Sequence, residues 1–344
     1  MAKKKPKAID LFCGCGGLTL GLKKAGFKVL GAVDNDNLAV ETYRANHKEV
    51  EIWEEDIQTL SVEKVKRKLG IKKGELDLLA GCPPCQGFST LRTLNGGKRI
   101  QDGRNKLLLE FQRFVEGFLP KTVMMENVPG LAKVRRFKSF CKKLEELGYK
   151  VKHDVLNAAK YAVPQRRRRL LLLAGRDGEI VFAKEARCRR TVFDAIGDLA
   201  AAGKSRNKLH NLPEKRTKKV LALIKKIPKN GGSRKDLGKR SQLACHKRCD
   251  GFKDVYGRMS WDKVSPTITS GCTNPSKGRF LHPKEHRAIT LREAALLQTF
   301  PKTYYFDPEA GKGVVAALIG NALPAEFVRR HALVVRRYIT QSFS

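Results

Sequence analysis

The sequence predicts an α/β protein with a doubly wound, mostly parallel sheet, followed by a smaller, irregular and basic module. Three observations predict this architecture. Short apolar runs typical of buried strands alternate with helical patterns up to about residue 176. A glycine-rich turn follows the first of these runs. Further along, residues 203–260 are rich in Lys, Arg, Gly and Ser and contain few periodic apolar runs.

The chain opens with a strand–turn–helix–strand unit: strand 8–12, a turn with Gly14, Gly16 and Gly17, helix 18–25 and strand 29–33. Asp34 ends the second strand. In Rossmann-like nucleotide-binding proteins, such a turn lets the backbone approach a ligand, and an acid about 20 residues later accepts hydrogen bonds from ribose hydroxyls. The turn is not G-x-G-x-x-G, so a dinucleotide is not favoured.

The alternation of strands and helices continues beyond this unit. Further helices are predicted over 37–46, 62–69, 104–118 and 137–147, and further strands over 51–53, 76–80, 122–125, 149–156 and 170–174. Carboxylates and a thiol lie in or just beyond these strands: Asp10, Asp34, Asp56, Cys85 and Glu126. Because the carboxyl ends of parallel strands share one edge, we expect these groups to converge. For Asp56 alone, a helix cap is an equal alternative.

The basic module has less regular structure. One basic helix is predicted over 215–229, and a partly disordered, solvated insertion is the alternative. A helix ended by Pro301 is predicted over 291–301, residues 314–319 lead into Gly320-Asn321-Ala322, and a final helix runs over 325–339.

Charge and cysteine content limit the class of protein. The formal net charge is +36, from 70 Lys and Arg against 34 Asp and Glu, which favours a polyanionic partner such as nucleic acid over mere solubility. No run approaches the roughly 18 apolar residues of a membrane span, and no secretory signal opens the chain. The cysteines number nine, an odd count, so we expect reduced thiols and a cytoplasmic protein.

A turn rich in proline and cysteine follows the strand at 76–80. Cys82-Pro83-Pro84-Cys85 matches C-x-x-C, so a redox pair or half of a zinc site is one alternative, and a packed small side chain is another. No second C-x-x-C exists, and the spacing of Cys245 and Cys249 fits no common ligand pair. A metal is therefore not expected.

Taken in chain order, these segments resemble the cytosine-5 DNA methyltransferases. The resemblance covers nearly the whole chain and is carried by residues 10–17 (DLFCGCGG), 83–89 (PPCQGFS), 126–128 (ENV), 165–169 (QRRRR, matching Q-x-R-x-R), 292–301 and 320–322 (GNA). Asp34 departs slightly, because the family more often has Glu there. Residues 186–285 match least, in the region where the family varies with target sequence.

The resemblance implies S-adenosylmethionine as methyl donor and no metal. It assigns the cofactor site to Phe12, Gly14, Gly16, Gly17, Leu18, Asp34, Asn35, Asp56, Ile57, Pro84, Leu107, Asn321 and Ala322.

The resemblance also implies the catalytic set. Cys85 would be the nucleophile that adds to C6 of cytosine, and Glu126 would bond the base near N3. Arg167 would reach the base carbonyl and hold the acid, and Gln86 and Asn127 would complete the site. Cys82 is expected to be structural.

A duplex hides C5, so the target cytosine must be flipped out of double-stranded DNA. We expect Ser89, Gln165, Arg169, Arg258 and Thr267 to contact the DNA, and residues 89–103 to form a loop that closes over the base. Residues 1–185 with 310–344 would form the catalytic domain, and 186–309 the target-recognition domain. We expect a monomer that modifies a specific sequence, with a restriction endonuclease as a possible genetic partner.

Two other functions remain open at this point. A tRNA cytosine-5 methyltransferase would use the same catalytic parts, although the large basic module argues against it. A non-catalytic DNA-binding regulator would have lost catalytic residues, whereas Cys85, Glu126 and Arg167 are all present.

Overall fold

The structure, a computed structural model, describes residues 5–84, 106–238 and 254–343. The chain divides into two compact units. The first comprises Met1–Asn157, Arg168–Glu185 and Ala325–Ser344, and the second comprises Ala158–Arg167 and Ala186–Pro324. The division expected from the sequence differs in two places, because 158–167 and 310–324 make their contacts within the second unit.

The first unit is built on a seven-stranded sheet with the order β3-β2-β1-β4-β5-β7-β6. Its strands are β1 (Lys7–Leu11), β2 (Lys28–Asp34), β3 (Glu51–Glu54), β4 (Leu78–Gly81), β5 (Thr122–Asn127), β6 (Lys150–Asn157) and β7 (Arg168–Gly175). The pairs among β1 to β5 are parallel, whereas β7 runs antiparallel to β5 and β6 antiparallel to β7. The mostly parallel, doubly wound sheet is therefore confirmed.

The helices of the described residues are α1 (Gly17–Lys24), α2 (Asn37–Asn46), α3 (Val62–Leu69), α4 (Leu107–Phe118), α5 (Arg135–Glu146), α6 (Val192–Ile196), α7 (Lys208–Asn211), α8 (Lys218–Lys226), α9 (Leu291–Leu297), α10 (Lys312–Asn321) and α11 (Ala325–Ser342). Side-chain caps explain several of their first residues: Asp36 accepts from Ala39 N at α2, and Ser61 accepts from Lys64 N at α3. Helix α8 is shorter than predicted, because Thr217 caps its start and the residue before Pro228 is extended.

The core of the first unit lies between the sheet and helices α3, α4 and α5. Phe111, Phe114 and Phe118 repeat at helical spacing along α4 and are fully buried. They join the Phe137 and Phe140 side chains of α5 in one cluster with the strands. Burial of this size fixes α4 and α5 against the sheet, and therefore fixes the strand ends that carry the functional groups.

The second unit has little regular sheet. Isolated bridges join Arg258 to Leu281 and Leu281 to Ala288, and a small apolar cluster contains Ile224, Ile227 and Leu281. The described part of this unit consists mainly of short helices and loops. Within the three described segments of the chain, no helix is both long and apolar enough to cross a bilayer.

Candidate active site

The order of the strands reverses at β1 and β4. The chain builds β1, β2 and β3 outward in one direction and then returns to place β4 on the other side of β1. Leu11 is in register with Gly81, and Cys82 N donates to Leu11 O at 3.2 Å. A Cβ on Gly81 would lie 2.6 Å from Leu11 O, so only glycine permits this approach. Ligands of open α/β sheets bind at such a reversal, beyond the carboxyl ends of the strands.

The glycine-rich turn lies directly beyond β1. Phe12, Gly14 and Gly16 all have positive φ values, of 60°, 52° and 91°. For Phe12 this left-handed conformation costs about 1–2 kcal/mol, and such strain is concentrated at functional sites. A Cβ on Gly14 would meet nothing within 4 Å, so open space faces the turn on that side.

Asp34, at the end of β2, holds the turn in place. Its Oδ2 accepts from Gly14 N at 2.7 Å and its Oδ1 accepts from Asp36 N at 3.0 Å. Burial raises the pKa of this carboxyl. Each oxygen has a further lone pair, so Asp34 can also accept from a ribose hydroxyl. Asn35 is exposed on the same turn.

The Asp56–Ile57 pair follows β3. Asp56 is half-buried and its Oδ1 accepts from Gln58 N at 2.9 Å, while Ile57 is buried. Arg113 of α4 fixes this segment, because its Nη2 donates to Ile57 O at 2.6 Å and its Nη1 to Leu60 O at 3.1 Å. The sequence did not indicate this role for Arg113, because a charged residue at its position is typical of the polar face of any amphipathic helix.

The remaining predicted cofactor residues of the first unit lie at the first turns of two helices and just after β4. Gly17 and Leu18 begin α1, Leu107 begins α4, and Pro84 lies exposed beyond β4. Leu18 is buried against the core, and Leu107 is half-buried.

Asp10 lies fully buried in β1. Its Oδ2 accepts from Thr19 Oγ1 at 2.7 Å, and that hydroxyl is 2.8 Å from the hydroxyl of Tyr43. Its Oδ1 has no hydrogen-bond partner among the described residues. Burial is the largest cause that raises the pKa of Asp10 to about 7.

Glu126 and Arg169 form an ion pair at the carboxyl end of β5. Arg169 Nε lies 2.8 Å from Glu126 Oε1, and the two side chains are 18% and 9% exposed. The antiparallel register brings them together, since Asn127 pairs with Leu170 and the first residues of β7 therefore reach the edge where β5 ends. From the sequence, we expected Arg167 to hold Glu126 and Arg169 to contact DNA. Within the first unit, the structure shows Glu126 in an ion pair with Arg169.

Cys82 lies beside the same carboxylate. Its thiol is hydrogen-bonded to Glu126, and burial, followed by the charge of Glu126, raises the pKa of Cys82 well above its usual value. Cys82 is therefore a protonated thiol near neutral pH, and a weak nucleophile.

Asn127, the last residue of β5, supports the proline turn. Its Nδ2 donates to Pro83 O at 2.8 Å, while its Oδ1 accepts from Val128 N at 2.8 Å. A cavity of about 520 Å³ adjoins Pro83, Pro84 and Asn127. The next residue after Pro84 is Cys85; Cys85, Gln86 and Ser89, and the predicted closing loop at 89–103, lie outside the described residues.

Gln165 and Arg167 belong to the second unit. Gln165 is fully buried; its amide donates to Gln298 Oε1 at 2.9 Å and accepts from Ile268 N at 3.0 Å. This corrects the prediction of a DNA contact, because the amide is held inside the unit. Arg167 is also buried, and its Nη1 donates to Ile268 O and Gly320 O, both at 3.0 Å.

Asn321 and Ala322, predicted for the cofactor, end α10 in the second unit. Asn321 is exposed, and Ala322 O accepts from Gln298 Nε2 at 3.0 Å. Their assignment to the cofactor stays a prediction.

Arg258 was predicted to contact DNA, and the structure contradicts this. Its side chain is fully buried and all five of its N–H groups are used. Nε donates to Ile227 O, Nη1 to His282 O and Glu285 O, and Nη2 to Ile224 O and His286 Nδ1. Arg258 therefore organises the second unit. Thr267 is half-buried, and its hydroxyl donates to Arg166 O at 2.6 Å.

Possible metal ligands are not clustered in the described parts of the chain, which contain no group of three or more His, Cys, Asp or Glu side chains suited to an ion. Cys85, Cys245 and Cys249 lie outside these parts, so they are not covered by this finding.

Comparison with protein families identifies the chain. The family described as C-5 cytosine-specific DNA methylase matches residues 6–335. The chain belongs to this family.

Relatives of this methylase support the assignment. It is 38% identical to the Type II methylase M.HgiDII of Herpetosiphon aurantiacus, with 96% of this chain and 95% of the relative covered. It is 36% identical to the Type II methyltransferase M1.HphI of Haemophilus parahaemolyticus, with 92% and 82% covered. The solved structure of the Entamoeba histolytica methyltransferase EhMeth superposes with a TM-score of 0.68 at 17% identity, covering 98% of this chain and 99% of that chain, which shows a shared fold.

Proposed function

We propose that this methylase transfers a methyl group from S-adenosylmethionine to C5 of a flipped-out cytosine in a specific double-stranded DNA sequence, through a covalent Cys85–C6 intermediate. The observation that carries the proposal is the ion pair of Arg169 with Glu126, beside the Asn127-supported proline turn that leads to Cys85. An acid held by a cation, next to a turn that presents a cysteine, suits chemistry on a cytosine ring.

The two cysteines of the C-x-x-C stretch differ in their suitability as nucleophile. The raised pKa of Cys82 and its hydrogen bond to Glu126 keep its thiol protonated. Cys85 follows the rigid Pro83-Pro84 pair and corresponds to the family's nucleophile. We therefore assign the attack on C6 to Cys85, and a supporting contact with Glu126 to Cys82.

The steps follow from the chemistry of cytosine, whose C5 is a poor nucleophile. The Cys85 thiolate adds to C6 and pushes electrons towards N3 and C5. The Glu126 carboxylate that pairs with Arg169 must take up a proton before the attack; once protonated, it donates to N3, where negative charge develops. C5 then takes the methyl group; a base removes the C5 proton, and the thiolate leaves as the C5–C6 double bond forms again. Arg169 keeps Glu126 in place throughout, and Gln86 is assigned to the same site from the family motif.

The residues beyond β1, β2 and β3 fit the cofactor. Open space in front of Gly14 admits a ligand against the backbone. Asp34 has free lone pairs for ribose hydroxyls, and Asp56 is half-buried beside Ile57. Asp34, at the end of β2, also places an acidic group near a ligand that carries a positive sulfonium. When bound there, S-adenosylmethionine would supply an activated methyl group on that sulfonium.

The second unit is the proposed target-recognition domain. The net charge of the whole chain, +36, supplies salt-dependent affinity for phosphates, and extrusion of the cytosine costs a few kcal/mol. Ser89 and Thr267 remain proposed DNA contacts. We also propose that the protein acts as a monomer, because one protein molecule suffices for one flipped base. A restriction endonuclease is proposed as its genetic partner.

Transfer of a radioactive methyl group from S-adenosylmethionine tests the proposal. Duplex DNA should be labelled, and the label should be found in 5-methylcytosine at one recurring sequence after bisulfite sequencing. Cys85→Ser should lose the transfer, whereas Cys82→Ala should retain it. Labelling of tRNA rather than DNA would favour the RNA-directed alternative, and labelling of neither would reject the proposal.

A further inference from the structure

A second cleft, of about 540 Å³, lies wholly within the second unit. We call it the basic cleft, and its walls include Arg166, Arg189, Asp262 and Lys263, with Met259 and Pro266 at its apolar part. It is separate from the residues assigned to the chemistry, and no role has yet been given to it.

Main-chain hydrogen bonds fix the walls of the basic cleft. Lys263 O accepts from Val192 N at 2.8 Å, and Trp261 O accepts from Phe193 N at 3.0 Å. Arg166 N donates to Ser265 O at 2.8 Å on the other side. The backbone that carries the charged side chains is therefore held in place before any ligand arrives, which lowers the entropy cost of binding.

The charges in the basic cleft fall into two groups. Arg279 is already neutralised, because its Nη2 lies 2.8 Å from Asp254 Oδ1. Arg166, Arg189 and Lys263, by contrast, make no side-chain hydrogen bond or ion pair with another residue among those described. Three cationic side chains are thus available to a ligand, a pattern that suits phosphate groups.

Asp262 does not fit a site for phosphate alone. Its side chain is exposed in the same wall and likewise makes no hydrogen bond or ion pair with a described residue. A carboxylate repels phosphate, but it accepts hydrogen bonds from the exocyclic amino group of cytosine or adenine. Cations with one free carboxylate therefore match a nucleic acid whose backbone meets the cations and whose base edge meets the acid.

We propose that Asp262 determines sequence specificity by accepting from the exocyclic amino group of one base pair in the recognition sequence, while Lys263, Arg166 and Arg189 contact flanking phosphates. The inference rests on the proposed function and adds to it a residue that reads a base. It replaces Arg258, whose buried donors cannot reach DNA.

The test compares Asp262→Ala with Lys263→Gln in the full-length protein. The variants methylate a duplex library in which the flanks of cytosine are randomised, and bisulfite sequencing gives the preference at each position. Asp262→Ala removes the acceptor and should relax a requirement for cytosine or adenine at one position by about 5- to 100-fold, and the base found there in the wild type shows which amino group is read. Lys263→Gln should weaken binding to all sequences and reduce the salt dependence by about one phosphate contact.

Asp198→Ala is the matched control, because Asp198 is an exposed aspartate of the same unit outside the cleft. If Asp262→Ala binds all sequences more tightly with its preference unchanged, Asp262 only balances charge and the inference is wrong. Unchanged preference and unchanged binding would also overturn it. Fluorescence anisotropy with random duplex measures the binding of each variant. Failure of the proposed function would be recognised separately, because the wild type itself would then not methylate DNA.

Discussion

Arg169 Nε lies 2.8 Å from Glu126 Oε1, on two adjacent antiparallel strands of the sheet. This pair places a fixed carboxylate at the carboxyl edge of β5, and the Cys82 thiol bonds to the same group. The acid that is proposed to bind the target cytosine is thus positioned from two sides. Arg169 is the second residue of β7, and within the first unit it is the arginine that holds this acid.

Arg169→Met should slow methyl transfer. The substitution leaves a carboxylate that is 9% exposed without its cation, so Glu126 would lose both its position and its electrostatic support. We expect kcat to fall by about 100- to 1,000-fold. The kcat of Arg169→Lys should lie between those of the wild type and Arg169→Met, because ammonium keeps the charge but lacks the planar fork of guanidinium. Single-turnover methylation is the measurement. Arg168→Met, at an exposed neighbour, is the control; equal rates for the two variants would contradict the assignment.

Asn127→Asp should affect the proline turn that precedes Cys85. An ionised carboxylate cannot donate to Pro83 O, so the contact of 2.8 Å becomes repulsive. A lost buried hydrogen bond costs about 1–3 kcal/mol, and we expect a drop of about 10- to 100-fold in kcat, with little change in affinity for the cofactor. Steady-state kinetics and calorimetry separate the two quantities. Retention of kcat within about twofold would show that the bond does not position the turn.

Asp10→Asn should change how stability depends on pH. The pKa of the Asp10 carboxyl is raised from 3.8 to about 7 in the folded protein, so the folded state keeps a proton that the unfolded state releases. The contribution of this proton to the free energy of unfolding is fully present below about pH 4. It falls as the pH rises from about 4 to about 7, and above about 7 it changes no further. Each pKa unit corresponds to about 1.4 kcal/mol, so the wild type should lose up to about 4 kcal/mol across this window relative to Asp10→Asn.

Denaturant unfolding of both proteins between pH 4 and 8 measures this effect. Other titrating groups cancel in the difference between the two free energies of unfolding. A difference that stays constant with pH would mean that Asp10 does not titrate in this range in the folded protein.

Arg258→Met should destabilise the protein without changing its sequence preference. The substitution removes five donors from buried carbonyl and imidazole acceptors, and we expect a loss of at least about 3 kcal/mol in the free energy of unfolding. Thermal unfolding is the measurement, with exposed Arg187→Met as control. A stable Arg258→Met enzyme with altered preference would instead restore the role predicted from sequence.

Much of the fold could be predicted because local signals agree with tertiary packing. Helices α2 and α3 begin and end at the predicted residues, since Asp36 and Ser61 cap their first turns and Gly70 ends α3 in the left-handed region. Asp10, Asp34 and Glu126 lie at or near the carboxyl ends of their strands. Because these strands are parallel, the three residues lie at or near the same edge of the sheet.

The rest of the site depends on contacts between distant parts of the chain. The pairing of Arg169 with Glu126 follows from the register of β7 with β5, which no local pattern shows. The burial of Arg258 depends on carbonyls of residues 224, 227, 282 and 285, from segments with no shared periodicity. Arg113 and Asn127 likewise act through main-chain carbonyls, which every residue has and no sequence motif distinguishes.

Covalent capture tests the central claim most directly. Duplex DNA with 5-fluorocytosine at the target position should arrest the reaction, because C5 then carries fluorine in place of the proton that must leave. With S-adenosylmethionine present, the account predicts a complex that survives SDS and whose DNA-linked peptide contains Cys85 as the modified residue. No complex, or a complex that forms equally well in Cys85→Ser or through Cys82, would contradict the account.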